Sequence, residues 1–130
     1  MASIKPTIIL VPGGWHTPDY HQPTAKLLQE YGHDVVCVEL PSVGADPPLK
    51  SWDQDVVAIR HAVTSVVDAG RDVVLVSHSY GGLPAQEACR GMAKRDLQSH
   101  GKTGGVIRLV YVLQDNVRCM ERHSVHVPAL

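Results

Sequence analysis

Four short apolar runs punctuate the chain: Thr7–Val11, residues 35–40, residues 73–76 and Val106–Val112. Each is rich in β-branched residues, and the first three are nearly continuous, the pattern of strands buried on both faces of a parallel sheet. Arg108 breaks the fourth run and places that strand nearer an edge. Helical spacing fills the intervals. Pro23 and Thr24 open a run through Ala25, Leu27, Leu28 and Tyr31 that Gly32 closes, with proline early and glycine late as helices favour. Ser51-Trp52-Asp53-Gln54 has capping-box spacing, and Trp52, Val56, Ile59, Val63, Val66 and Val67 follow on one stripe until Gly70. A third helix is predicted from Gly82 through Ala85, Ala88, Cys89 and Met92 to Arg95.

This alternation predicts an α/β fold, an open and mostly parallel sheet of about four strands with helices on both faces. Residues 41–48 read as a proline-rich loop after the second strand, and residues 99–105 as a flexible connection. Residues 114–130 follow neither period and stay unassigned. We see no internal repeat and no second domain.

Composition narrows the class. Twelve Lys+Arg against thirteen Asp+Glu leave a formal net charge of −1, without the basic excess that a nucleic-acid or anionic-membrane binder needs. No apolar stretch reaches the eighteen or so residues of a membrane span, and the first residues lack the apolar core of a secretion signal. Cys37, Cys89 and Cys119 are odd in number and lack C-x-x-C spacing, so reduced thiols in a cytoplasmic protein are expected, with neither disulfide framework nor thiolate metal site. Phe is absent, which leaves the core to Val, Leu, Ile and Ala.

The candidate chemistry lies in Val73-Val74-Leu75-Val76-Ser77-His78-Ser79-Tyr80-Gly81-Gly82. A buried strand runs into a small-x-Ser-x-Gly turn and then a helix, the context of a nucleophile elbow. Such a turn strains the middle residue and lifts its hydroxyl above the sheet. Small residues two before and two after avoid collision, here Ser77 and Gly81. The other histidines have plainer readings: His78 as packing, His16 and His33 as loop bracing or capping, His21 and His61 as surface residues. Gly101-Lys102-Thr103 precedes a strand and lacks the glycine spacing of a phosphate loop. Pro12-Gly13-Gly14-Trp15 makes no dinucleotide fingerprint.

Three blocks resemble the amino-terminal half of an α/β-hydrolase, in the small esterase and hydroxynitrile-lyase-like branch. They are Ile8-Ile9-Leu10-Val11-Pro12-Gly13-Gly14-Trp15-His16, Tyr31-Gly32-His33-Asp34-Val35-Val36, and Val74 through Gly82. With their spacers they span residues 4–112. The resemblance implies Ser79 as nucleophile, the backbone N–H groups of Gly14 and Tyr80 as oxyanion-hole donors, and no metal or organic cofactor. Pro12 stands where the family usually has His, and Ser77 where it usually has Gly.

In that family the catalytic histidine and acid follow the serine beyond further strands. Residues 1–113 are therefore expected to be the first part of a hydrolase domain, and 114–130 an unrelated ending. Asp115, His123 and His126 follow Ser79 in the family's order and are the substitutes the tail offers. The expected function is serine-dependent carboxylic-ester hydrolysis on a small-molecule ester, truncated and impaired for want of the usual histidine and acid. A sister reading is lyase chemistry with Ser79 in a proton relay. The alternative is a non-catalytic remnant that binds a ligand or associates with itself through an open sheet edge.

Overall fold

The computed structural model describes residues 4–112. Strand β1 (Thr7–Val11) leads through a short 3₁₀ turn (Pro18–His21) into helix α1 (Gln22–Glu30) and strand β2 (Val35–Cys37). Helix α2 (Asp53–Asp68), strand β3 (Val73–His78), a 3₁₀ turn (Ser79–Gly81) and helix α3 (Gly82–Ala88) follow. Helix α4 (Lys94–Gln98) and strand β4 (Val106–Val112) complete the described residues.

The four strands form one parallel sheet in the order β2-β1-β3-β4. Going from β1 to β2 the chain steps one way, and going from β2 to β3 it crosses back over β1. Crossovers of a single hand then put the connecting helices on opposite faces. Accordingly Ile8 and Leu10 pack with Ala25 and Leu28 of α1. The alternate residues Ile9 and Val11 join Ile59, Val63 and Val67 of α2 and Ala85 and Ala88 of α3. Ile9, Ile59, Val63 and Val73 are wholly buried. Each contributes roughly 1.5–3 kcal/mol of apolar burial. The order in which strands are added across the sheet reverses between β1 and β3, and the carboxyl ends of strands at such a point are where open α/β sheets place ligands.

Several local expectations are corrected. The β2 ladder is short, ending with the Val38 N–H bonded to the Leu10 carbonyl at 2.9 Å, after which Val38 and Leu40 turn into the core. The capping box does not form: the Ser51 hydroxyl bonds Asp53 Oδ2 at 2.9 Å and Trp52 is the cap residue. The third helix stops at Ala88, because Arg60 Nη1 donates to the Ala88 and Arg90 carbonyls and Gly91 turns left-handed at φ 72°. Ala93 is then extended and bridges Val106 before α4 begins. Residues 99–105 are not a loose connection at their end. A Cβ on Gly104 would lie 2.3 Å from the Arg71 carbonyl oxygen, so that segment is clamped against the start of β3. The fourth strand does lie at an edge among the described residues, with Ile107 and Arg108 exposed.

Candidate functional site

Strand β3 runs two residues beyond its apolar run, pairing Ser77 with Tyr111 and His78 with Val112. Ser79 follows at once with φ 48°, and its side chain is exposed. A left-handed serine costs of order 1–3 kcal/mol and persists only where the surroundings impose it. They do so here. A Cβ on Gly81 would stand 2.3 Å from the Pro12 carbonyl oxygen, and one on Gly13 would stand 2.7 Å from His78 Nδ1. Glycine at both positions lets the loop after β1 press against the turn after β3. Ser77, on the near side, is buried and its hydroxyl points to the Val110 carbonyl at 3.5 Å.

Trp15, in the same loop, shares the left-handed backbone at φ 69° and is 96% exposed. Among the described residues, Ser79 and Trp15 are the non-glycine residues with positive φ. Gly14, beside Trp15 in the chain, faces Tyr80: a Cβ there would be 3.7 Å from the Tyr80 Cβ. The two segments expected to donate N–H groups are therefore brought side by side, next to the exposed Ser79.

Beneath the turn lies a cluster of rings. His16 packs against Tyr20 with centroids 4.4 Å apart and meets His78 edge-on at 5.6 Å, while Tyr20 stacks on His78 at 5.4 Å. His78 is thus a packing residue, as expected. Burial, then the neighbouring His16, pushes its basicity down. His33 braces a loop through Nδ1 and the Pro6 carbonyl at 3.2 Å, and His61 is exposed. His21 departs from the surface reading: the 3₁₀ turn folds its ring inward to 9% exposure, and burial lowers its pKa against a smaller opposing effect of a Val11 backbone hydrogen bond. His16 Nδ1, His21 Nε2 and His78 Nδ1 are buried without a partner.

Helix α2 contributes a residue that the sequence reading passed over. Asp55 is 0% exposed, and its carboxylate accepts from the Ser42 N–H at 2.9 Å, the Ser42 hydroxyl at 2.5 Å and the Tyr80 hydroxyl at 2.7 Å. The buried stripe of α2 is Asp55, Ile59, Val63, Val67. A carboxylate in phase with three buried aliphatics was the available signal.

Among the described residues, the Ser79 hydroxyl has no hydrogen-bond partner, and no group of three or more His, Cys, Asp or Glu is placed to hold a metal ion. Cys89 is buried and its thiol is pushed up to about 12 by that burial; burial also raises Cys37. Asp115, His123 and His126 lie outside the described residues. No helix among the described residues is long and apolar enough to cross a membrane.

A family model described as the alpha/beta hydrolase family matches residues 8–119. The chain belongs to that family. It is 42% identical over 109 residues to the alpha/beta hydrolase nvfD of Aspergillus novofumigatus, covering 84% of this chain and 43% of that protein. A probable hydrolase, R7, from a Phoma species is 34% identical over 110 residues, covering 83% and 42% respectively. The chain therefore spans about two fifths of the length of these relatives. Among solved structures, an extracellular alpha/beta-hydrolase from a Paenibacillus species, described as sharing structural and functional homology with tobacco salicylic acid binding protein 2, aligns with a TM-score of 0.62 at 23% identity, covering 83% of this chain and 40% of that one. A tomato methylketone synthase I complexed with 2-tridecanone aligns at 0.64 and 18% identity, over 88% and 43%. These alignments support the fold: the α/β-hydrolase sheet is present in part.

Proposed function

We propose that this hydrolase-family chain carries the nucleophile half of a serine-dependent carboxylic-ester hydrolase, with Ser79 as the attacking group. The observation that carries the reading is the left-handed, exposed Ser79 between buried β3 and α3, with the β1 loop pressed against it. In this reading the Ser79 Oγ bonds the ester carbonyl carbon while its proton passes to a base, and the carbonyl electron pair moves onto oxygen. The N–H groups of Gly14 and Tyr80 receive that oxyanion, each donor worth about 3 kcal/mol in the transition state. Collapse expels the alcohol, which takes the proton, and water then releases the acid by the same two steps. The base and its orienting acid belong to residues outside 4–112. His123 and His126 with Asp115 are the tail's contribution to that search.

Labelling by a fluorophosphonate, which forms a bond only with an activated serine, tests the reading on the purified chain. Labelling that disappears in Ser79→Ala is expected, with turnover of a chromogenic ester disappearing alongside it. His123→Ala and His126→Ala, assayed in the same way, identify a base from the tail. Labelling of the folded parent chain that persists unchanged in Ser79→Ala refutes the assignment of Ser79.

A further inference from the structure

A buried carboxylate is costly unless its oxygens are hydrogen-bonded, and an aliphatic side chain on the α2 stripe would avoid that cost, as Ile59, Val63 and Val67 do. What Asp55 supplies instead is a fixed point. Its Oδ2 takes the Tyr80 hydroxyl at 2.7 Å, and its two oxygens hold Ser42 in the loop after β2 through both backbone and side chain. Tyr80 directly follows Ser79, and its side chain passes Gly14 on the way to Asp55, since a Gly14 Cβ would be 3.7 Å from Tyr80 Cβ and 3.9 Å from Cγ. Residue 80 is thus held at both ends, by the strained turn at its backbone and by α2 at its hydroxyl.

We propose that Asp55 is a positioning residue for the reaction at Ser79, fixing through the Tyr80 hydroxyl the direction of the Tyr80 backbone N–H and the seating of Gly14 beside it. The inference rests on the reading of Ser79 as nucleophile. Burial, then the Asp55 hydrogen bond, pushes the Tyr80 phenol up to about 12, so at neutral pH it stays a donor and the link is a tether rather than a proton path.

Saturable fluorophosphonate labelling separates rate from binding. In Tyr80→Phe the maximal labelling rate falls about tenfold, part of what losing an oxyanion donor outright costs, while the half-saturating concentration is unchanged. Asp55→Asn, which leaves a single acceptor oxygen for three donors, falls by a similar factor, and the double variant falls no further than either single one. Thermal midpoints measured alongside report stability separately. A Tyr80→Phe chain that melts earlier yet labels at the parent rate gives the tether a structural role only and overturns the proposal, as does a double variant whose loss is the product of the two. If Asp55→Asn does not fold, Tyr80→Phe decides alone. Parent labelling that persists in Ser79→Ala overturns the serine reading and the tether with it, whereas Ser79-dependent labelling with an unaffected Tyr80→Phe overturns the tether alone.

Discussion

The two ends of the sheet are built on opposite principles. At the amino ends of the strands, polar groups find each other. Arg71 pairs with Asp34 and donates to the Lys5 carbonyl at 3.1 Å, Lys94 pairs with Asp72 at 2.7 Å, and His33 bonds Pro6. Arg71 Nε and Asp72 Oδ1 are left over, but on side chains otherwise engaged. At the carboxyl ends the chain keeps two left-handed non-glycine residues, three imidazoles each with a buried, unpartnered nitrogen, and an exposed serine. Tight glycine contacts occur at both ends, so close packing alone does not distinguish them. The difference is that one end is knit by charged pairs and the other holds strained backbone around an exposed hydroxyl.

The largest effect that tests this contrast comes from the glycines. Gly81→Ala and Gly104→Ala each push a Cβ to 2.3 Å from a backbone oxygen, and each is expected to lower unfolding free energy by about 3 kcal/mol in denaturant titrations. Only Gly81→Ala should also abolish Ser79 labelling per folded chain. Equal labelling in the two variants breaks the division between ends. Next, Ser79→Gly relieves the left-handed strain and is expected to raise stability by about 1 kcal/mol while removing labelling entirely. A destabilised Ser79→Gly would show that the serine side chain supports the fold.

The third effect is one of pH. His21 and His78 have folded-state pKa values below the ordinary 6.5, chiefly through burial, with His16 adding repulsion. The unfolded chain therefore binds protons first as pH falls. Stability is full above about 6.5 and declines below it toward the folded values, by at most about 1.4 kcal/mol per pH unit for each histidine. His78→Asn should flatten the fall in thermal midpoint between pH 7 and pH 5, and an unchanged slope would remove His78 from the account. The smallest effect belongs to the amino end: Asp34→Ala, which deletes an exposed partner of Arg71, should cost less than about 1 kcal/mol and leave labelling untouched.

The strands and the tight turn at Ser79 were legible because their signals are local. Buried parallel strands read as apolar runs, and the Ser77-x-Ser79-x-Gly81 pattern carries its own steric reason. Asp55 was not legible because its role depends on Ser42 and Tyr80 arriving from two other elements, and the stripe counted through Val56 skipped it. His21 was misplaced for a similar reason, since only the 3₁₀ turn at Pro18 decides which way its ring faces. The overlong third helix was a failure of weighting: Gly91 was visible, but the Arg60 guanidinium that stops the helix comes from α2.

The backbone at residue 79 also acts as a filter on which side chains the position accepts, and so, in the proposed reading, on which nucleophiles. At φ 48° a side chain branched at Cβ is sterically penalised, so threonine is excluded from this position although its hydroxyl is chemically competent. Cysteine, unbranched like serine, passes the same filter. The repertoire of covalent chemistry open to this scaffold is therefore set by a single torsion angle before any base or substrate is considered.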